Sequence, residues 1–231
     1  MNKEYFNELL RVIDKKKPSK EELAKIKIKL CSKHKVRSPP TDIQVLLELD
    51  SKGAKKYKKY LMTKPVRTGS GVAVVAVMTK PIACKHGKCI MCPGGPSSVF
   101  GDIPQSYTGK EPATRRALRN KFDPYLQVMN RLEQYIATGH LPEKIELIVM
   151  GGTFPSFPKR YRDEFIMNCF KAMNDFSRLF LNNLVRFKQF FELPGDIYDN
   201  ERAKRIERKL LNLKSNGKRT LEREQTKNEC H

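Results

Sequence analysis

The stretch GVAVVAVMTKP, Gly71 to Pro81, decides the fold that this sequence predicts. It is a β-branched apolar run bounded by glycine and proline, which is typical of a strand buried on both faces. A second short run, IELIVMGG, spans Ile145 to Gly152 and predicts a second short buried strand. The segment between the two runs has helical patterning on both sides of Pro124, and a further helical segment follows the second run. Strand, helix, strand and helix form a parallel βαβ unit, so we predict an α/β fold.

Three cysteines follow the first predicted strand directly, in CKHGKCIMCPGG. Cys84, Cys89 and Cys92 lie within nine residues, and a chain that short folds back easily, so their sulfurs can converge on one centre. A structural zinc site needs four protein ligands, for which His86, Cys169 and Cys230 are the remaining candidates. The Cys-x4-Cys-x2-Cys spacing also occurs in plant-type ferredoxins, which need a fourth cysteine.

Three cysteines without an obvious fourth suit a 4Fe-4S cluster that leaves one iron open to a substrate or cofactor. The flanks fit such a cluster, because Gly94 and Gly95 keep side chains away from it and Lys85 and Lys88 offset negative charge. A zinc-stabilised loop without catalysis is the alternative, and the spacing leaves both open.

The position of the loop favours chemistry. α/β barrels place their active sites at the carboxyl ends of parallel strands. The second strand ends in Gly151 and Gly152, whose bare backbone can approach a ligand at the same end of the sheet. An ordinary tight turn between strand and helix also explains this glycine pair.

A formal net charge of +21 predicts a polyanionic partner, of which nucleic acid is the commonest. Residues 1–80 are the most basic part, with 20 Lys plus Arg against 8 Asp plus Glu. Tyr57 and Tyr60 beside the lysines could stack on unpaired bases. A solvated, lysine-rich surface is the alternative. The candidate RNA-binding residues are Lys15, Lys16, Lys17, Lys25, Lys27, Lys29, Lys33, Lys35, Arg37, Lys55, Lys56, Lys58 and Lys59.

The N-terminal segment is predicted to be mostly helical. Ser19 with Glu22 is a capping-box pattern, and a further helix is expected from Thr41. KIKIKL, Lys25 to Leu30, alternates at period two and could equally be an exposed strand. Near the other end, five apolar residues fall on one helical face, at Phe176, Phe180, Leu184, Phe187 and Phe191. The sequence LPGD interrupts this pattern, and a basic helix, ERAKRIERKLLNL, is predicted after it.

The cysteine pattern also bears on the cellular compartment. Six clustered cysteines do not resemble the disulfide framework of a small secreted domain, and a reducing cytosol fits them better. No secretory signal is readable at the N-terminus, and no apolar run approaches the roughly 20 residues that span a bilayer. We therefore expect a soluble, cytoplasmic protein.

Several long motifs resemble the archaeal form of the Elongator catalytic subunit family. They are CKHGKCIMCPGG, PQSYTGKEPATRRALRNKFDPYLQV, KIELIVMGGTFPS and YRDEFI. Upstream, KIKIKLCSKHKVRSPPTDIQVL is similar to the family's basic, tRNA-binding extension, and TLEREQTKNE resembles the helix before its next barrel strand. The family joins a radical S-adenosylmethionine (SAM) barrel to a lysine-acetyltransferase-like domain, and it modifies the wobble uridine of tRNA with an acetyl group from acetyl-CoA.

The resemblance implies roles for individual residues. Cys84, Cys89 and Cys92 match the ligands of a 4Fe-4S cluster, whose open iron would chelate the amino and carboxylate groups of SAM. Reductive cleavage would give a 5′-deoxyadenosyl radical, which is proposed to act on the acetyl methyl before carbon adds at uridine C5. Gly94, Gly95, Gly151 and Gly152 would then lie at the cofactor. Lys144 matches a position associated with acetyl-CoA, although by itself it reads as a solvated lysine at a turn.

The resemblance also implies a domain organisation. Residues 1–63 would be the basic, helical tRNA-binding extension, and residues 64–231 a partial radical-SAM (β/α) barrel with a basic helical insertion at about 176–220. A full family member continues through further strands and the acetyltransferase domain, so we expect a truncated or fragmentary form of the tRNA-modifying enzyme. Expected partners are tRNA, acetyl-CoA and a missing C-terminal half or Elongator-like subunits. The alternative is a non-catalytic, zinc-stabilised RNA-binding module.

Overall fold

A computed structural model describes residues 2–195, 199–217 and 219–229. The strands are β1 (Ala73–Met78), β2 (Gly95–Ser98), β3 (Gly101–Ile103) and β4 (Ile145–Met150). The helices are α1 (Lys3–Lys16), α2 (Lys20–Lys33), α3 (Asp42–Glu48), α4 (Ser51–Leu61), α5 (Pro112–Arg119), α6 (Pro124–Ala137), α7 (Lys159–Phe176), α8 (Leu184–Phe190), α9 (Asn200–Ser215) and α10 (Leu221–Glu229). Short 3₁₀ turns span Pro65–Thr68 and Phe154–Ser156, and a π-helical turn spans Ser177–Leu181.

Helices α1 to α4 pack around a hydrophobic core of their own. The predicted capping box is confirmed, because the Ser19 hydroxyl accepts from the Glu22 amide while the Glu22 carboxylate accepts from the Ser19 amide. Thr41 and Gln44 form a second capping box at the start of α3. Such caps satisfy the free amides of a first helical turn. The core consists of Tyr5, Leu9, Ile13, Leu23, Leu30, Cys31, Val45, Leu46, Leu49, Tyr57 and Leu61.

The segment KIKIKL lies inside α2, so the helical alternative is the one observed. Its alternation is misleading, because Lys27 is 8% exposed whereas Ile28 is 60% exposed. Lys27 donates to Asp42 Oδ1 at 2.8 Å across to the first turn of α3. Burial would raise the pKa of Asp42, but hydrogen bonds from Lys20 and Lys27 outweigh it and hold the pKa below its ordinary value.

Strands β1 and β4 pair in parallel, with Ala73 opposite Ile145 and Met78 opposite Met150. This is the predicted βαβ unit, with α5 and α6 in the connection. One face packs against α6 and α7 in a core that includes Val75 and Val77. The prediction that the first strand is buried on both faces is wrong, because Val74 is 37% exposed. The second strand is not buried as predicted either, since Glu146 and Ile148 are exposed.

The outer edge of β1, on the side away from β4, is partly covered by side chains. The Val74 carbonyl accepts from the Tyr135 hydroxyl at 2.9 Å, and the Ala76 carbonyl accepts from Arg116 at 2.9 Å. Gln127 accepts from the Met78 amide and donates to its carbonyl, at 2.8 and 2.9 Å. Another strand could pair along this edge only by displacing these side chains. The hydrogen bonds therefore favour growth of the sheet beyond β4.

The elements after β4 enlarge the same core. Five phenylalanine rings pack against one another and bury most of the predicted apolar face. They lie on α7, on the π-helical turn that interrupts the helix, on α8 and directly after α8, at Phe176, Phe180, Phe187, Phe190 and Phe191. The predicted basic helix is α9, and its Ile206 and Leu210 join this core. All of the segment TLEREQTKNE except its first residue forms α10, which packs on α7.

The structure confirms a mixed helix and sheet fold of the α/β kind. Its two sheets have two strands each, and within residues 2–195, 199–217 and 219–229 they do not close a barrel. Across those same residues no helix is long and apolar enough to cross a membrane.

Candidate functional site

The three-cysteine loop follows the carboxyl end of β1, as the sequence predicts. The glycine pair Gly151 and Gly152 follows the carboxyl end of β4, and Met78 is paired with Met150, so both turns leave the sheet at the same end. The Thr79 hydroxyl donates to the Gly151 carbonyl at 3.0 Å and ties the two turns together. The described structure therefore places the thiol loop beside the glycine turn.

Each cysteine of the loop has a different environment. The Cys84 amide donates to Gln105 Oε1 at 2.9 Å. Cys89 is exposed, with its sulfur 3.1 Å from His86 Nε2, and the Cys92 sulfur lies 3.5 Å from the Ser106 hydroxyl. Between these points the loop has turn hydrogen bonds only, from the Gly87 amide to the Cys84 carbonyl and from the Cys92 amide to the Cys89 carbonyl.

The thiols fit an iron-sulfur cluster in number and in surroundings, although the described side chains do not gather into a set of three metal-ligating groups. Residues 80–95 contain three thiols, three lysines and no carboxylate. Thiolates are the ligands of such clusters, and nearby cations offset their negative charge. Ile90 and Met91 at the tip are 103% and 89% exposed, so the middle of the loop is free of packing that would prevent its closure.

The other candidates for a fourth ligand are less suited. Cys169 is fully buried on α7, where burial raises the pKa of its thiol. A buried neutral thiol is a poor metal ligand because coordination needs the thiolate. Cys230 lies outside the described residues, and His86 lies within the loop itself.

Sequence reasoning missed the support under this loop. The hairpin of β2 and β3 follows the cysteines directly, and the turn Pro104–Tyr107 comes next. A Cβ added at Gly94 would lie 2.0 Å from the Tyr107 carbonyl oxygen, so Gly94 is required for close contact with this turn. The only sequence signal for the turn was its place in the motif PQSYTGKEPATRRALRNKFDPYLQV.

The remaining glycines of the site have different constraints. A Cβ at Gly151, where φ is +115°, would lie 2.2 Å from Thr79 Oγ1. Gly152 has φ +67°, and its added Cβ would meet nothing closer than Gln105 Cβ at 3.9 Å. Gly95 has φ +127° and its added Cβ would lie 3.2 Å from Gln105 Cγ. Only Gly152 therefore leaves space for an approaching ligand.

Lys144 lies at the opposite end of the sheet. Its carbonyl accepts from the Ala73 amide at 2.8 Å, which places it before β4 at the amino ends of the strands. A strand of six residues is roughly 20 Å long, so the exposed Lys144 side chain and the thiol loop are separated by about that distance. The structure does not bring Lys144 to the cysteines.

The candidate RNA-binding residues lie on α1, α2 and α4 and in the segments directly after α1 and α2. Within the described ranges, ten of the thirteen have no carboxylate within ion-pair distance, whereas Lys27 pairs with Asp42, Lys33 with Glu8 and Lys56 with Asp14. On α4 the exposed lysines fall on one face, at Lys52, Lys55, Lys56 and Lys59.

Two of the predicted RNA-contacting side chains are not available to a ligand. Lys27 is buried and paired, as described above. Tyr57 is 7% exposed and donates its hydroxyl to Asp14 at 2.8 Å, so its ring belongs to the core of the four-helix unit. Tyr60 is half-buried, and the Lys59 ammonium lies 4.8 Å from its ring centre.

Comparison with known proteins shows what each part of the chain is similar to. Residues 4–69 match the ELP3 N-terminal domain. The chain is 57% identical over 136 residues to a tRNA uridine(34) acetyltransferase of Methanocaldococcus infernus, which covers 59% of this chain and 26% of the relative. It is 52% identical to the protein of that name from Methanocaldococcus jannaschii, over 67% of this chain and 29% of the relative.

Eukaryotic relatives match a longer part of the chain. Elongator complex protein 3 of Drosophila melanogaster is 40% identical over 191 residues, which is 80% of this chain and 34% of the relative. The chain thus spans only 26% to 34% of the length of these curated relatives. The resemblance seen in the motifs is confirmed: residues 4–69 match the model of the ELP3 N-terminal domain, and the chain is similar to part of the tRNA uridine(34) acetyltransferases and of Elongator complex protein 3.

Proposed function

We propose that this chain is the tRNA-binding and cluster-binding part of a radical SAM enzyme that modifies the wobble uridine of tRNA at C5. The observation that carries the proposal is a loop of three thiols at the carboxyl end of one parallel strand, beside the open glycine turn of its neighbour. The names of the relatives support the tRNA substrate and the acetyl group. Because the chain spans about a third of their length or less, its proposed function is tested by cluster binding and tRNA binding, not by catalytic turnover.

Cys84, Cys89 and Cys92 would hold a 4Fe-4S cluster, which together with SAM supplies a 5′-deoxyadenosyl radical when bound. Gly152 would let the cofactor approach the backbone, since its position is the open one of the pair. Gly94, Gly95 and Gly151 would shape the site through the close contacts that hold the turns together. Lys144 would bind acetyl-CoA away from the thiols, at the other end of the sheet.

Residues 1–63 would form the tRNA-binding domain and residues 64–231 the partial barrel, with the helical insertion at about 176–220. Two separate hydrophobic cores support this division, one within residues 5–61 and one that begins at Ala73. Side chains partly cover the outer edge of β1, whereas no strand among the described residues pairs with the far edge of β4. This difference supports a sheet that continues beyond β4, as a partial barrel does. We further propose a cytoplasmic location and assembly with Elongator-like subunits or a C-terminal half.

Anaerobic reconstitution with iron and sulfide tests the cluster. We expect a brown protein with absorbance near 400 nm and about four irons per chain. Cys89→Ser should lose most of the iron and colour, whereas Cys31→Ser, which changes a buried thiol of the four-helix core, should keep both. A colourless protein that binds one zinc per chain would refute the cluster and support the structural zinc loop.

Salt-dependent tRNA binding tests the basic surface of the four-helix unit. A variant with Lys25, Lys29, Lys55 and Lys59 changed to Gln removes four exposed, unpaired charges. The slope of log affinity against log salt should fall by about 0.7 to 0.9 for each phosphate contact that is lost. The control changes four lysines outside this unit to Gln, at Lys110, Lys121, Lys159 and Lys204. Equal slopes for the two variants would contradict the assignment.

A further inference from the structure

The turn Pro104–Tyr107 contacts the three-cysteine loop and both neighbouring glycine turns. Gln105 in this turn is only 5% exposed although its side chain is polar. A buried amide is unfavourable unless it is hydrogen-bonded, so such a residue usually has a specific partner. The partner of Gln105 is the backbone amide of Cys84, at 2.9 Å from Oε1 and 21 residues away along the chain.

The same side chain also borders two glycine turns. Its Cγ lies 3.2 Å from the Cβ that a side chain at Gly95 would have, and its Cβ lies 3.9 Å from that of Gly152. Gln105 therefore stands between the thiol loop, the start of β2 and the open turn after β4. No other described side chain hydrogen-bonds to the backbone of residues 84–92.

The neighbouring residue reinforces this arrangement. Ser106 has φ +73°, an uncommon conformation for a residue with a side chain, and its hydroxyl lies 3.5 Å from the Cys92 sulfur. The turn thus contacts the first cysteine through Gln105 and the third through Ser106. The exposed segment between them is connected to the turn only through these two ends.

We propose that Gln105 is a positioning residue for the three-cysteine loop: its side-chain carbonyl fixes the Cys84 amide, and with it the start of the loop, against the glycine turn after β4. Ligand-bearing loops gain affinity when neighbouring groups hold them near the bound geometry, because less ordering is left to the binding step. The consequence for cluster binding rests on the proposed function. The anchoring of the loop does not, because it is a property of the chain itself.

Amide-resolved hydrogen exchange on the metal-free protein tests the anchoring. In the wild type the Cys84 amide should exchange at least about fivefold more slowly than expected for an open chain, since a net hydrogen bond of ordinary strength gives that protection. The Lys85 and Lys88 amides, which have no hydrogen-bond partner among the described residues, should show no such protection. Equal protection at all three amides would overturn the proposal without any variant.

Two variants separate the hydrogen bond from the bulk of the side chain. Gln105→Met keeps a similar volume but has no acceptor, and it should raise the Cys84 exchange rate about fivefold to tenfold. Gln105→Glu keeps an acceptor oxygen and should restore the rate to within about twofold of wild type. Gln127→Met is the matched control, because Gln127 is also buried and accepts a backbone amide, that of Met78, outside the loop.

Iron loading provides the second measurement. After anaerobic reconstitution, Gln105→Met should bind at most about half the iron of the wild type, Gln105→Glu should recover it, and Gln127→Met should match the wild type once the thermal midpoints show that all are folded. Faster Cys84 exchange with unchanged iron would overturn the positioning role. A wild-type protein that binds no iron would refute the proposed cluster, and the exchange rates alone would then decide whether Gln105 anchors the loop.

Discussion

Gly151 and Gly152 are adjacent in the sequence and yet have different reasons to be glycine. The sequence predicts the pair as a tight turn or as a cofactor contact, and it does not separate the two residues. In the structure a neighbour occupies the space beside Gly151, since an added Cβ would lie 2.2 Å from Thr79 Oγ1. At Gly152 the nearest atom would be Gln105 Cβ at 3.9 Å, so an added Cβ would not clash. This difference arises from the pairing of β1 with β4, which brings Thr79 to Gly151 from 72 residues away.

Alanine substitution at the two glycines should therefore have unequal effects. Gly151→Ala combines a backbone conformation at φ +115° with a steric clash, and we expect it to lower the free energy of unfolding by about 3 kcal/mol. Gly152→Ala, at φ +67°, should cost about 1 kcal/mol. Urea unfolding of both variants measures the difference, and equal losses would show that the Thr79 contact does not constrain Gly151.

The burial of Lys27 and Ile28 is the reverse of what the sequence pattern predicts. Apolar periodicity predicts that isoleucine is buried and lysine exposed, and here the opposite holds. The lysine is stabilised inside by Asp42, whose position depends on the packing of α3 against α2 and on no local signal. For this reason the sequence predicted α2 only as one of two alternatives, and it did not predict which face of α2 is buried.

At the scale of elements, the order of strands and helices was readable and their surroundings were not. The apolar run, the helix caps and the prolines are local, so β1, the start of α2, α3 and the helices on either side of Pro124 were predicted correctly. The hairpin of β2 and β3 was missed, because GPSS and GDI are too short and polar to give a strand pattern. The exposed face of β1 was missed because burial depends on which layers cover the sheet.

The junction between this hairpin and α5 contains a carboxylate with a pH-dependent role. Glu111 accepts from the Thr108 amide and hydroxyl, both at 2.8 Å, and from the Thr114 hydroxyl at 3.0 Å. Burial would raise the pKa of Glu111, but the hydrogen bonds from the Thr108 amide, its own amide and the two hydroxyls lower it from 4.5 to about 2. The charged carboxylate therefore stabilises the start of α5.

Replacing this carboxylate should reduce stability in a defined pH range. Because the pKa is lower in the folded chain, the stabilisation is complete above about pH 4.5 and is lost as the pH falls towards 2. Glu111→Gln should lower the thermal midpoint by about 2 °C near pH 7, and the difference from wild type should disappear by about pH 2. Glu143→Gln, an exposed carboxylate before β4, is the control. A difference that is constant with pH would contradict this role.

At the scale of the whole molecule, two hydrophobic cores meet at a small polar junction. His140, which follows α6, is 2% exposed and links the C-terminal core to the segment after α4. Its Nε2 lies 2.8 Å from the Thr63 carbonyl oxygen, which can only accept, so Nε2 carries the proton. Nδ1 then accepts from the Thr68 hydroxyl at 2.9 Å. His140, which connects the two cores, had no sequence signal.

Removing the His140 side chain should uncouple the two cores. His140→Ala loses two hydrogen bonds and an edge contact with the Tyr135 ring, which together are worth about 2 to 3 kcal/mol. Hydrogen exchange across a urea series should then show α1 to α4 opening at a lower concentration than β1, β4 and α7, whereas in the wild type the two groups open closer together. His86→Ala, an exposed histidine on the thiol loop, should leave both groups unchanged. If both groups of helices and strands in His140→Ala still open at the same urea concentration, other contacts couple the cores. Two such contacts are the hydrogen bonds from the Thr63 amide to the Thr138 carbonyl and from the Lys188 ammonium to the Leu49 carbonyl.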